Sequence, residues 1–229
     1  MTCKAALFDL DGVLVDTAKY HYLAWKALAD ELGFPFTLQD NERLKGVSRM
    51  ESLDILLAIG GVSMTEEEKQ EAARRKNDRY VAYIRHVDAS ELLPGAREYL
   101  LRLRAAGVKI ALGSASRNAA PILKNTGILP LFDAVVDGSD VSRAKPDPEV
   151  FLLAAQRLGV PPAGCVVFED AAAGIEAARR GGMAAVGVGD PAVLGAADLV
   201  IGGLYEANRA DGLFGMAPPS GGEGTEQTT

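Results

Sequence analysis

Two carboxylates one residue apart, Asp9 and Asp11, close the apolar run Ala5-Ala6-Leu7-Phe8 and are followed by Gly12. On an extended chain, side chains two residues apart point the same way, so both carboxylates can face one site while Leu10 offers its backbone carbonyl. Such a pair provides a cation site with a nucleophile built in. A carboxylate that attacks phosphorus needs a divalent cation to offset the crowded oxygens, and a second carboxylic acid to protonate the departing oxygen. A lone D-x-D is more often a strand end running into a polar turn. The other strand ends decide between the two readings.

Three further stretches have matching chemistry. Ser114 follows the apolar run Val108-Lys109-Ile110-Ala111-Leu112-Gly113 and precedes a helix, where a hydroxyl and neighbouring amides can meet a phosphate, although an isolated serine at such a place is more often only a helix cap. Lys145, in Lys145-Pro146-Asp147-Pro148, precedes a helix and can offset the charge of a transferring phosphoryl group. Val166-Val167-Phe168 ends in Glu169-Asp170, and these acids beside Asp9 and Asp11 would repel one another without a metal.

Phe8-Asp9-Leu10-Asp11-Gly12-Val13 with Asp16-Thr17, then Ser114, Lys145-Pro146-Asp147-Pro148 and Glu169-Asp170, resemble the four motifs of the haloacid dehalogenase (HAD) superfamily. The resemblance implies phosphoryl transfer through an aspartyl-phosphate on Asp9, with Asp11 as acid and base and Ser114 and Lys145 at the phosphate. It also implies Mg²⁺ as cofactor, held at Asp9, the Leu10 carbonyl, Asp11 and Asp170, with Glu169 as a ligand or just behind the ligands. Relatives commonly have Ser after the paired acids. Here Ala171-Ala172-Ala173 follows, so one hydrogen bond near the metal is expected to be missing.

Residues His21, Trp25-Lys26-Ala27-Leu28, Leu44-Lys45-Gly46-Val47-Ser48-Arg49 and Arg75-Lys76-Asn77-Asp78 resemble the β-phosphoglucomutases within that superfamily, and with the core motifs the likeness runs to about residue 205. That branch implies interconversion of β-glucose 1-phosphate and glucose 6-phosphate, with glucose 1,6-bisphosphate as intermediate or primer. Implied substrate contacts are Trp25, Lys45, Gly46, Val47, Ser48, Arg49, Lys76 and Asn77, together with Ser116, Arg117 and Asn118. Lys45 and Arg49 with the Ser116–Asn118 stretch could hold a second phosphate, an anchor that a plain phosphatase does not need. His21 and Lys76 would orient Asp11 and the sugar, and Thr17 would sit in a hinge. A sugar-phosphate phosphatase is the main alternative, and a non-catalytic phosphate-binding protein a weaker one.

The elements that must position these residues follow from periodicity. Helical spacing runs from Tyr20 to Leu32, and residues 50–59 and 65–84 also read as helices, the last opened by Thr65 with Glu66, Glu67 and Glu68 in its first turn. From Leu93-Pro94-Gly95 onward, strands at 108–112, 134–136, 166–169, 184–188 and 199–201 alternate with helices at 96–106, 119–125, 148–158 and 171–180. Strands so apolar, separated by helices, predict an α/β fold with a doubly wound parallel sheet, the Rossmann-like HAD core, in which ligands bind beyond the carboxyl ends of the strands. The expected organisation is a core of residues 1–15 and 89–215, an inserted helical cap of 16–88 and a disordered tail of 216–229. Gly187-Val188-Gly189-Asp190-Pro191-Ala192 formally matches a dinucleotide fingerprint, but its late position and its Pro favour a turn.

The chain of 229 residues carries 24 Lys and Arg against 31 Asp and Glu, a net charge of −7 that disfavours a nucleic-acid surface. Cys3 and Cys165 are too few for a disulfide framework, and no apolar run approaches the ~20 residues of a membrane span. The reading is therefore of a reduced, cytoplasmic, monomeric protein acting on small sugar phosphates.

Overall fold

The computed structural model describes residues 2–44 and 47–217. Six strands, β1 (Ala5–Phe8), β2 (Lys109–Gly113), β3 (Ala134–Val136), β4 (Cys165–Glu169), β5 (Ala184–Val188) and β6 (Leu199–Ile201), form one parallel sheet in the order β3-β2-β1-β4-β5-β6. Strand β1 lies in the middle with all four residues buried. Its period-two alternation feeds two cores: Ala6 and Phe8 join one, with Phe8 stacked on Phe168 at 4.7 Å between ring centroids, and Ala5 and Leu7 join the other.

Helices cover both faces: α5 (Ala96–Ala105), α6 (Ala119–Asn125), α7 (Glu149–Leu158), α8 (Ala172–Arg180) and the short α9 (Pro191–Leu194) and α10 (Asp211–Phe214). Strand order reverses between β1 and β4. In open α/β sheets that crevice is the binding position, so the topology puts Asp9, Glu169 and Asp170 where chemistry belongs.

Between β1 and α5 the chain makes only helices: α1 (Ala18–Leu32), α2 (Leu38–Glu42), α3 (Arg49–Gly60) and α4 (Glu66–Ile84). They share a separate apolar core that includes Trp25, Leu28, Phe36, Leu53, Leu56 and Ala72. The outgoing and returning segments touch at the base of this lobe, where Val15 pairs with Leu92, Asp16 N–H donates to the Glu91 carbonyl at 2.9 Å, and Tyr20 Oη donates to Glu91 Oε1 at 2.7 Å. Both connections of the helical lobe to the sheet therefore pass through this one place.

Several details differ from the sequence reading. Helix α2 was not expected; its signal was the capping box in which the Thr37 hydroxyl accepts from Asp40 N–H and Asp40 Oδ2 accepts from Thr37 N–H. Strand β2 runs one residue later than read, because Val108 N–H is taken by the Leu103 carbonyl in the turn that closes α5. Met216 and Ala217, read as the start of the tail, are tied down by Met216 N–H to the Asp211 carbonyl at 3.0 Å and by Arg102 to the Ala217 carbonyl at 3.2 Å. The rest of the expected tail lies outside the described residues. The glycine-rich stretch at 187–192 ends β5 and starts α9, capped by Asp190. Among the described residues no helix is long and apolar enough to cross a membrane.

Candidate active site

A cavity of about 540 Å³ opens between the helical lobe and the carboxyl ends of the strands, lined on the sheet side by Asp9, Ser114, Lys145 and Asp170 and on the helical side by Arg49, Lys76 and Tyr80. The strand register assembles its floor. Phe8 pairs across to Leu112 and to Phe168, so the residues just past these, Asp9, Ser114 and Glu169-Asp170, arrive on one rim.

Lys145 is the electrostatic centre of that floor. Its ammonium, 1% exposed, donates to Asp9 Oδ1 at 2.6 Å and to Glu169 Oε2 at 2.8 Å. Burial alone would push this lysine toward neutrality, but the two carboxylates outweigh burial and hold its pKa above the ordinary value. Removing one partner of such a buried set costs about 3–5 kcal/mol.

Two glycines let the acids approach. At Gly12, with φ +78°, an added Cβ would lie 2.1 Å from Asp170 Oδ2, and at Gly174 it would lie 2.0 Å from Glu169 Cδ. Gly12 was legible in the sequence as a close backbone passage; Gly174 was not, because its neighbour is five residues back on another element.

Asp9, Glu169 and Asp170 each present an oxygen within 4.8 Å of the others, an arrangement that suits a hard divalent cation. Burial, reinforced by Asp9 and Asp170 and only partly relieved by Lys145, raises Glu169 above the ordinary range. Both Glu169 oxygens already accept hydrogen bonds, from Lys145 and from Ala171 N–H at 3.1 Å. Glu169 thus holds Lys145, and the Ala171 backbone supports it where a serine side chain is missing.

Two expected ligands are placed otherwise. The Leu10 carbonyl accepts Leu14 N–H at 2.9 Å and Val15 N–H at 3.1 Å, so it closes the turn after β1 and is not available to a cation. The Asp11 carboxylate stands outside the three-acid cluster: Thr17 Oγ1 donates to its Oδ1, and its Oδ2 faces His21 Nε2 at 3.9 Å. Burial first, then the nearby Asp9 charge, raises the Asp11 pKa to about 7, so this carboxyl can both give and take a proton near neutrality.

Above Asp11 the helical lobe brings Lys76 against His21. Lys76, 3% exposed on α4, lies 2.8 Å from His21 Nδ1 and 4.4 Å from the Trp25 ring centroid. Burial, with Lys76 and Arg49 nearby, keeps the His21 pKa well below the usual histidine range. Burial and Arg49 likewise pull Lys76 down to about 7. Trp25, expected at the substrate, also supports the Lys76 ammonium by a cation–π contact.

The rest of the cavity is basic and polar. Arg49 donates to Asn77 Oδ1 at 2.7 Å, and Asn118 Nδ2 donates to the same oxygen at 3.0 Å, joining the two lobes. Arg117 Nε donates to the Gly138 carbonyl at 3.2 Å and its charge is close enough to depress Arg49, whose pKa is lowered mainly by burial. Ser114 Oγ accepts Ser116 N–H at 3.1 Å and Ser116 Oγ accepts Asn118 N–H at 3.2 Å, so this loop offers a series of hydroxyls and amides to the cavity. Ser48 caps α3 through Glu51 N–H while lining the cavity beside Val47. Lys45 and Gly46 lie outside the described residues.

A haloacid dehalogenase-like hydrolase family model matches residues 3–182. The chain belongs to that family. Among curated proteins it is similar to the β-phosphoglucomutase of Bacillus subtilis, 48% identical over 200 residues that cover 86% of this chain and 88% of that one. It is also similar to the phosphorylated carbohydrates phosphatase of Thermotoga maritima, at 35% identity covering 79% and 82%. Among solved structures, β-phosphoglucomutase from Clostridium difficile superposes with a TM-score of 0.89 at 40% identity, covering 93% of this chain and 97% of that one. The six-stranded parallel sheet is thus the Rossmann-like HAD core, and the protein is an enzyme acting on phosphate groups.

Proposed function

We propose that this HAD-family enzyme is a β-phosphoglucomutase, interconverting β-glucose 1-phosphate and glucose 6-phosphate. The observation that carries the reading is the placing of Arg49, Arg117 and Asn118 in the same cavity, with their hydrogen bonds made away from Asp9 and Lys145, which supports reading them as a second anion site. A substrate with one phosphate needs one such anchor. A bisphosphate that must turn end for end needs two.

In the forward reaction Asp9, already phosphorylated, is attacked by the sugar 6-hydroxyl. Asp11 takes the hydroxyl proton as the new O–P bond forms and the Asp9–P bond breaks, giving glucose 1,6-bisphosphate. After reorientation Asp9 attacks the 1-phosphate and Asp11 returns the proton to the departing O1, leaving glucose 6-phosphate. Lys145 steadies Asp9 and offsets charge on the phosphoryl oxygens. His21, its Nδ1 accepting from Lys76, keeps its Nε2 proton toward Asp11, while Thr17 fixes the other oxygen of that carboxylate at the hinge.

The acidic cluster fits Mg²⁺, with Asp9 and Asp170 as carboxylate ligands, Glu169 behind them, and the Asp11 carbonyl as an oxygen with no hydrogen-bond donor among the described residues. Bound there, the cation supplies the positive charge that lets one carboxylate approach a phosphoryl group. The partners are then small sugar phosphates, with glucose 1,6-bisphosphate as primer and the protein working as a cytoplasmic monomer.

The test is direct: incubate the enzyme with β-glucose 1-phosphate, Mg²⁺ and a bisphosphate primer, and follow glucose 6-phosphate and inorganic phosphate together. Isomerisation outpacing phosphate release is expected; the reverse would make it a sugar-phosphate phosphatase, as its Thermotoga maritima relative is named.

A further inference from the structure

Tyr80 carries none of the roles assigned above. It sits on α4 four residues after Lys76, on the same helical face, and is 1% exposed at the cavity wall. Its ring lies against His21 with centroids 3.9 Å apart, and Lys76 Nζ is 5.1 Å from the same ring. Its hydroxyl is buried and makes no hydrogen bond of normal geometry, although the hydroxyls of Thr17 and Ser116 face it.

That combination is informative because packing alone does not call for a tyrosine here. Phenylalanine would fill the same space against His21 and avoid the ~1–3 kcal/mol that an unsatisfied buried hydroxyl costs. A small shift of the lobes would give the hydroxyl a partner, since the Thr17 and Ser116 hydroxyls already face it. Both hydroxyls that face it lie on the far side of the cleft or hinge: Thr17 at the start of α1, already donating its proton to Asp11, and Ser116 on the loop after β2.

We propose that Tyr80 is a positioning residue for the proton-transfer step, its ring fixing the His21 imidazole and its hydroxyl donating to Thr17 or Ser116 when the lobes close on a sugar phosphate. In the closed arrangement the donors run in one direction: Tyr80 O–H to Thr17 Oγ1, and Thr17 O–H to Asp11 Oδ1. Thr17 then cannot turn away from Asp11. The ring meanwhile keeps Nδ1 of His21 toward Lys76 and Nε2 toward Asp11. The hydroxyl role rests on the mutase reading, while the ring role rests on the contact between the Tyr80 and His21 rings.

Two variants separate these parts. Tyr80→Phe keeps the ring; the expected result is a roughly tenfold lower kcat for isomerisation, the scale of one lost hydrogen bond, with KM and acetyl phosphate hydrolysis within twofold of wild type. Tyr80→Leu removes the ring; with ¹⁵N-histidine labelling, and His86 as the only other histidine in the chain, the His21 ring-nitrogen signals should move from a single neutral tautomer toward an average of the two tautomers. Unchanged kcat in Tyr80→Phe overturns the hydroxyl role, as does a parallel fall of both activities, which would mark a structural residue. Unchanged His21 signals in Tyr80→Leu overturn the ring role. If wild type releases phosphate instead of isomerising, the mutase reading fails, and the same kcat comparison on sugar-phosphate hydrolysis, which also needs the closed cleft, decides Tyr80.

Discussion

Lys76 Nζ and His21 Nδ1 lie 2.8 Å apart inside the cleft, so the two groups cannot both be charged without strong repulsion. With Lys76 donating, His21 stays neutral and presents its Nε2 proton to Asp11. This one contact sets the tautomer that the proposed proton transfer requires.

The same contact makes stability depend on pH. Lys76 has a folded pKa of about 7 against an ordinary value of 10.5, so between those values the unfolded chain holds a proton that the folded chain lacks, and stability rises with pH across that window. Below about 7 both states hold the proton and the penalty is at its full size. Lys76→Met, which has no charge to bury, should be about 1–2 kcal/mol more stable than wild type at pH 7, less than full linkage because the contact with Trp25 is lost. Urea unfolding at pH 7 and pH 9.5 checks this. A difference that does not shrink at the higher pH would show that the lysine is not the source.

Asp9→Asn should keep the fold and lose turnover by a factor of ~10⁴ or more, because an amide neither attacks phosphorus nor ligates Mg²⁺ well. Labelling with a phosphate donor and trapping of the acyl phosphate is the direct measurement. Turnover close to wild type would remove Asp9 as the nucleophile.

Asp11→Asn should slow transfer to and from the sugar by ~10²-fold or more while substrate still binds, since Asp11 is outside the acidic cluster and its removal takes away a proton carrier. Single-turnover rates and a binding isotherm, measured together, tell this from a general collapse of the site, which would weaken both equally.

Arg49→Ala should cost about 2 kcal/mol or more in isomerisation, the scale of a charge-assisted contact to phosphate. Hydrolysis of acetyl phosphate, which has no second phosphate to anchor, should change little. Measured side by side, an equal fall in both activities would mean that Arg49, through Asn77, supports closure of the lobes instead of holding a phosphate.

Gly174→Ala should be poorly tolerated, because its Cβ would lie within 2.0 Å of the buried Glu169 side chain, which is held on both oxygens. A loss of about 2–3 kcal/mol or more is expected from overpacking and from disturbing Lys145. Thermal unfolding checks it, and a melting temperature unchanged from wild type would show that Glu169 can move freely.

The sequence by itself determined the parallel α/β architecture, the all-helical insertion and the meeting of Asp9 and Asp11 in one cavity. These follow from short-range rules: two-residue spacing puts Asp9 and Asp11 on one face, and apolar runs separated by helical periods leave little choice but a covered parallel sheet. What the tertiary structure alone decided is which donor meets which acceptor. The Leu10 carbonyl was as plausible a ligand as any until the turn to Val15 claimed it, and nothing local told that Glu169 would accept from Lys145, 24 residues away. Asn77 joining Arg49 to Asn118, and Tyr80 meeting His21, bring together residues 28 to 59 positions apart. Such partners are chosen by competition among buried groups once the lobes are packed, and no local pattern in the chain records the outcome of that competition.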